Sequence, residues 1–433
     1  MRVFLFVWLG QLVSLLGSNL SNFALDVWVY QQTGSVTQLS LLILSTTLPV
    51  VIVSPFAGVL VDHWNRRWVM ILSDSGAALS TLTIALLLFT GQIHAEHTYL
   101  IYLATAVSSS FSTFGWPAYI ATTTLLIPKK HLGRASGMVQ LAEALGQILS
   151  PILGGILLGI IHLLGIIVLE CICFLFSVIT LLLVRFPNYK VIQSQETNKS
   201  SLLTQALYSF HYLTSHSGLL ALLFFFASSN FFVGILEVLI YPLILSFASP
   251  SQLGTILFIG GVGMLAGSLL MSTWGNGRQN YINTLFCFML LNAFCMIVVG
   301  MRSSVFLFDI AAFLYFLGLA LINGSAQVIF QKKVPPEIQG RIFSFNSTIR
   351  GSCLPLAYLI AGPLADRIFE PLMIANGPLA RSIGQLIGTG PGRGIGLMFI
   401  VMGILNVLVI LIAYQYLPLR FVEHELPDSS GAT

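Results

Sequence analysis

Three carboxylates and one guanidinium stand deep inside apolar runs: Asp26, Glu143, Glu237 and Arg350. A carboxyl group at the centre of a membrane helix costs roughly 2.5 to 3.5 kcal/mol on insertion scales, so it needs a partner or a task. The task open to a carboxyl group there is to take up and release a proton. Glu143 and Glu237, each about a turn from the centre of its run, are the leading proton-coupling candidates, and Asp26 lies nearer one boundary. Arg350, about two and a half turns into its own run, reads either as their counter-ion or as a contact for an anionic substrate.

Each of these acids belongs to a polar stripe. At 100° per residue, Ser136, Gln140, Glu143, Gln147, Ser150 and Gly154 fall on one narrow face of a helix. A second run carries Gln11, Ser14, Ser18, Asn22 and Asp26, and a third carries Asn230, Gly234, Glu237 and Tyr241. Three such stripes are able to enclose a wet cavity, and Gln11, Asn22, Gln140, Asn230 and Tyr241 are its candidate lining. The competing reading is that each acid only satisfies helix caps or hydroxyls. Asp74 and Glu170, on the third and sixth runs, read as structural.

The elements that must hold these residues are set by composition. Of 433 residues, 56% are hydrophobic and only 8% charged, against about a quarter in soluble chains. Runs long enough to cross about 30 Å of hydrocarbon lie near 3–30, 37–61, 68–90, 98–126, 135–160, 163–185, 218–247, 253–273, 281–301, 305–330, 342–368 and 394–416. The expected fold is an all-α membrane protein of about twelve transmembrane helices. The first run is of span length and has no small-residue cleavage site, so it is expected to stay as an anchor. Cys171, Cys173, Cys287, Cys295 and Cys353 all fall inside spans without CxxC spacing, which leaves no expected metal site or cofactor. No GxxxxGK phosphate loop or GxSxG elbow occurs, so neither ATP-driven transport nor an enzyme is expected.

Lys and Arg orient the chain. With a cytoplasmic N-terminus, the inner loops receive Arg66, Arg67, Lys129, Lys130, Arg134, Lys190, Lys199, Arg278, Lys332, Lys333 and Arg341. The outer side receives little beyond Arg302, Arg367, Arg381 and Arg393. Both termini are therefore expected in the cytoplasm, with the chain in the cytoplasmic membrane. The net charge of +4 is a topology signal and implies no nucleic-acid partner.

A polar segment, NYKVIQSQETNKSS, separates six runs from six. The expected division is a bundle over 1–185, a cytoplasmic linker over 186–217 and a second bundle over 218–433. The halves echo each other: IPKKHLGRASGM and VPPEIQGRIFSF align Pro128 with Pro335, Gly133 with Gly340 and Arg134 with Arg341. Parallel repeats of six helices about an axis along the membrane normal are the build of rocking transporters.

Two motifs sharpen this. In AGVLVDHWNRRWVM, Gly58 permits close packing, Asp62 sets a carboxylate at the membrane boundary, and Arg66 and Arg67 follow four and five residues later. Asn65 occupies a tight-turn position where a left-handed backbone is tolerable. The stretch resembles the loop motif of the major facilitator superfamily, with Asn65 standing where that family usually has Gly. The resemblance implies a cytoplasmic gate, with Asp62 and the arginines latching near the helix that starts beside Arg341. The corresponding loop of the second half has Met271 in place of the acid and keeps only Arg278, so the latch is expected to be one-sided.

The second motif is GQILSPILGG, in which Gly146, Gln147, Ser150, Pro151, Gly154 and Gly155 resemble the antiporter signature of the same superfamily. Ser150 replaces a central Gly, small for small. The resemblance is nearest to the macrolide-efflux and enterobactin-exporter branch, on GQLVSLLGSNLSNFALDVWVY and VPPEIQGR. It implies a monomeric, lipid-embedded exporter of hydrophobic or amphipathic small molecules, drug-, macrolide- or siderophore-like, driven by proton antiport through alternating access. A nutrient importer or lipid-moving permease of the same fold, and a non-transporting receptor or scaffold, are the alternatives.

Overall fold

A computed structural model describes residues 2–91, 98–127, 132–184, 212, 214–274 and 280–425. In hydrocarbon no water is available to unpaired backbone N–H and C=O groups, so a spanning segment closes its hydrogen bonds internally. Among the described residues the chain accordingly forms helices and turns. Twelve helices are long: α1 Arg2–Thr33, α2 Val36–His63, α3 Arg66–Phe89 and α4 Thr98–Leu126, then α5 (132–161) and α6 (163–183) within one run, Leu132–Leu183. They continue as α7 Ser217–Leu245, α8 Pro250–Trp274, α9 Tyr281–Met301, α10 Val305–Lys333, α11 Pro336–Leu364 and α12 Arg393–Gln415.

Among the described residues, nine helical stretches are long and apolar enough to cross a membrane, one of them holding both α5 and α6. The remaining two long helices are α4, with its ATAVSSSFST stretch, and α11, with FSFNSTIRGS. The turn between α5 and α6 is tighter than the sequence suggests. Only His162 leaves helical geometry, at φ 55° and ψ 178°, a conformation costly for a residue with a Cβ. The expected linker, 186–217, lies outside the described residues except near its end.

The chain divides into two compact units, Met1–Ser194 with Ala248–Phe258, and Gln195–Phe247 with Ile259–Thr433. The opening turns of α8 thus pack with the first unit. The reason lies in two glycines: a Cβ on Gly155 would stand 2.5 Å from Pro250 O, and one on Gly254 would collide with Pro151 O. Backbones touch there because neither residue carries a side chain. In a bilayer, where lipid tails are as apolar as Leu, such contact is a main source of helix association. The same device joins α1 to α6: Gly17 leaves room for Cys173, with 2.8 Å between an added Cβ and Cys173 Cβ, and Gly10 does so for Thr180.

Caps and cross-links finish the helix ends. Asn65 is the N-cap of α3, its side chain accepting from Arg67 N at 3.1 Å with φ −67° and ψ 110°. The left-handed turn expected there is therefore corrected: an extended N-cap satisfies an orphan amide, which a left-handed residue would not. In the second unit the Glu423 carboxylate accepts from the first amides of α9, Tyr281 N at 3.2 Å and Ile282 N at 3.3 Å. Lys333 Nζ, at the end of α10, donates to Glu423 O at 2.7 Å.

The Gly155 contact makes a graded prediction. Gly155→Val should lower stability by about 1–3 kcal/mol through overpacking against backbone, whereas Gly159→Val, with nothing within 4 Å of an added Cβ, should change it by less than about 0.5 kcal/mol. Thermal-unfolding midpoints of the purified chain in detergent provide the comparison, and equal midpoints for the two variants would count against the seam.

Candidate functional site

The structure distributes the polar residues of the first unit over three environments. At the α2–α3 loop, Arg66 Nη1 donates to Ala121 O at 2.8 Å, near the end of α4. Arg67 donates through Nε to Leu181 O at 3.0 Å and through Nη2 to Leu182 O at 2.7 Å, at the end of α6. The two carbonyls that meet Arg67 belong to the last turn of α6, carry partial negative charge and lack intrahelical donors, so a guanidinium is a suitable partner. Gly58 and Asp62 lie on α2 and Arg341 on α11, but their side chains fall outside the described residues, as does Arg278.

The α5 signature faces neighbours rather than an open cavity. Gly146 abuts Asn19 and Leu15 of α1, and Gly154 abuts the ring of Phe23. Ser150 is buried, its Oγ donating to Leu16 O at 3.4 Å, and Gly155 meets the start of α8 as described. The stripe read from the sequence therefore splits. Gln140 and Gln147 are exposed and Glu143 is half-buried, whereas Ser150 and Gly154 are enclosed. The upper half of α5 is in contact with α1 and the opening of α8, so equal angular position does not give equal access.

The α1 stripe divides too. Asn22 is exposed and Asp26 half-buried, whereas Gln11, also half-buried, is engaged within its own bundle. Gln11 Nε2 donates to Ser177 Oγ at 2.8 Å and lies 3.1 Å from Asp74 Oδ2, and Ser177 Oγ donates to the same Asp74 oxygen at 2.7 Å. Asp74 is thus a buried acceptor that ties α3 to α1 and α6. About two helical turns farther along this layer, the buried Glu170 of α6 lies among the hydroxyls of Ser18, Ser21 and Thr81. Of these, Ser21 Oγ closes no hydrogen bond of good geometry.

In the second unit, Glu237 is exposed, and its Oε2 accepts a 2.6 Å hydrogen bond from the Tyr358 hydroxyl of α11. One turn earlier, Gly234 lets α11 approach: an added Cβ would stand 2.7 Å from Ala357 Cβ. Arg350 is not the counter-ion of Glu237. Its Nη2 donates to Asn323 Oδ1 at 3.2 Å and its guanidinium lies 4.8 Å above the Phe226 ring. Tyr241 is half-buried, and Asn230 donates to Phe226 O at 3.0 Å.

Asn230 and Arg350 line one cavity of about 40 Å³, enough for about three waters. Asn292, Tyr315, Asn323 and Asn406 complete its polar wall. Asn292, Asn323 and Asn406 have no place in the sequence reading. Their signal was present, since α9 and α12 each place one amide near mid-helix in an otherwise apolar stretch, but a lone amide forms no stripe. Among the described residues no group of three His, Cys, Asp or Glu side chains is placed to hold a metal.

Comparison with known proteins adds four findings to this geometry. The family model described as Major Facilitator Superfamily matches residues 7–358. Macrolide efflux protein A of Streptococcus pyogenes is 27% identical over 375 residues, covering 84% of this chain and 89% of that protein. The enterobactin exporter EntS of Citrobacter koseri is 26% identical over 153 residues, 35% of this chain and 36% of that one. Among solved structures, a bacterial homologue of the human lysosomal transporter Spinster, inward-facing and unoccupied, superposes with a TM-score of 0.74 at 14% identity. It covers 98% of this chain and is itself covered to 97%. At that identity the likeness speaks for the fold alone.

The Asp74 cluster is testable by itself. Asp74→Ala leaves the Ser177 hydroxyl without its acceptor and takes from the Gln11 amide one of its two, and should cost about 1–3 kcal/mol. Asp74→Asn, which keeps one oxygen, should cost less. In denaturant unfolding, the Gln11→Ala/Asp74→Ala double variant should lose less than the sum of its parts; simple additivity would mean the two side chains are not coupled.

Proposed function

Because the chain belongs to the major facilitator superfamily, we propose that it exports hydrophobic or amphipathic small molecules across the cytoplasmic membrane by proton antiport through alternating access. It is a multi-pass membrane transporter of that family and not an enzyme. The observation that carries the antiport reading is Glu237: an exposed carboxyl on a spanning helix, held by the Tyr358 hydroxyl and paired with no cation among the described residues. A carboxyl group so placed gains or loses a proton without breaking an ion pair. When Glu237 is ionised the Tyr358 hydroxyl stabilises it, and when it is protonated that stabilisation weakens. Proton occupancy is thereby tied to α7–α11 packing.

Glu143, half-buried between the exposed Gln140 and Gln147, is the corresponding carboxyl on α5, and Asp26 is the third candidate. Exposed amides and acids on apolar helices favour a wet path, because contact with lipid would cost several kcal/mol in total. Asn22, Gln140, Asn230 and Tyr241 are assigned to that path. One proton moving down 100 mV supplies about 2.3 kcal/mol, which sustains a concentration ratio of roughly fiftyfold. A single coupling carboxyl is therefore sufficient for useful export.

Export, in place of import, is supported by the α5 signature and by the names of the two relatives given above, a macrolide efflux protein and an enterobactin exporter. Both termini are assigned to the cytoplasm by the excess of Lys and Arg in the inner loops. On that side the clamp of Arg66 and Arg67 on the ends of α4 and α6 is assigned to hold the loop in register. Gly58, Asp62 and Arg341 are assigned to the gate that opens and closes there.

Inverted membrane vesicles energised by a proton gradient test this reading, with an amphipathic fluorescent dye as cargo. Glu237→Gln should reduce proton-driven dye accumulation at least tenfold while leaving downhill exchange, and Glu143→Gln should reduce it by less. Undiminished proton-driven accumulation in the Glu143→Gln/Glu237→Gln double variant would remove both carboxyls from the coupling scheme.

A further inference from the structure

The cavity beside Arg350 shares Asn230 with the assigned wet path, and its wall is chemically unlike the bundle around it. Arg350 presents five N–H donors, of which one is engaged, by Asn323 Oδ1. No carboxylate among the described residues neutralises it; the Phe226 ring beneath it supplies only a cation–π contact. Asn292 and Asn406 also line this space, 6% and 8% exposed, but the Oδ1 atom of each is itself buried, that of Asn292 against Gly318. An unneutralised guanidinium lining a polar recess describes the complement of an anionic oxygen.

Size narrows the ligand. About 40 Å³ holds about three waters, the room needed by a carboxylate, and far less than a drug-sized molecule. Phe226, Met289, Met296 and Leu319 form the apolar part of its wall, and a chain longer than the headgroup has to extend beyond it. We propose that this cavity is a headgroup subsite for amphipathic carboxylates, with the carboxylate on Arg350. The inference rests on the reading of the chain as a carrier of amphipathic cargo, and it names the polar group such cargo bears.

The test uses the full chain in phosphatidylcholine nanodiscs at pH 7, with no anionic lipid to compete. Two probes share one tail: decanoate and decanamide. The wild-type chain should bind decanoate tightly and the uncharged amide at least tenfold more weakly. Arg350→Gln should weaken decanoate at least tenfold and leave the amide within twofold, which also reports that the variant is folded. Arg350→Lys, which keeps the charge and loses the fork, should fall between them. Equal binding of decanoate by wild type and Arg350→Gln, or an equal loss for acid and amide, would overturn the assignment, as would absence of binding by the wild type. Failure here is separable from failure of the transport reading: intact proton-driven export without acid binding removes only the subsite, and acid binding without proton coupling leaves it standing.

Discussion

A polar group placed in hydrocarbon has no water to return to, and the consequences of that deficit run through every level of this chain. The backbone answers it by closing its hydrogen bonds within helices. Those helices then lack the usual force for association, since burying Leu against Leu gains little over burying it against lipid. What remains is close contact, and the chain secures it with glycine. Gly10 and Gly17 bring α1 onto α6, Gly146 and Gly154 bring α5 onto α1, and Gly155 with Gly254 brings α5 onto the opening of α8. A stretch that weakens a helix in water becomes the surface along which helices in lipid meet.

Polar side chains obey the same rule, and the two units meet it differently. In the first unit they are largely paired. Arg66 and Arg67 are engaged by backbone carbonyls of α4 and α6, and Asp74 is engaged by Gln11 and Ser177. In the second unit the pairing is incomplete. Glu237 has one hydroxyl, Arg350 has one amide oxygen and an aromatic face, and Asn292 and Asn406 leave acceptors open. Satisfied groups hold a bundle together, whereas unsatisfied ones are available to ligands and protons.

Much of the architecture was legible in the sequence because it depends on length and hydropathy, which need no neighbours to be read. The twelve runs appear as twelve helices among the described residues, with boundaries that differ by a few residues. The site was less legible. Helical spacing placed Gln11 on the same stripe as Asn22, yet Gln11 turns inward because Asp74 and Ser177 offer it an acceptor network. Ser150 and Gly154 shared an angular face with Gln140 and Gln147 but are covered by α1. A helical wheel gives direction and carries no information about what stands in that direction. The amides of Asn292, Asn323 and Asn406 were passed over for the opposite reason: Asn292 and Asn406 are lone mid-helix amides, Asn323 stands with Gln327 and Gln331 toward the end of α10, and the three form one wall only after α9, α10 and α12 are packed together.

By itself, then, the sequence determined the solvent, the number and kind of elements, and the residues whose charge demands an explanation. All of these follow from transfer free energies that each residue carries with it. Only the tertiary structure decided which of those charges are spent on packing and which remain open. Asp74 and Arg67 are committed, whereas Glu237 and Arg350 are not. The physical reason is that hydrogen-bond satisfaction is a property of pairs: an acceptor 63 or 166 residues away along the chain, as for Gln11, becomes a partner only once the fold has brought it within about 3 Å.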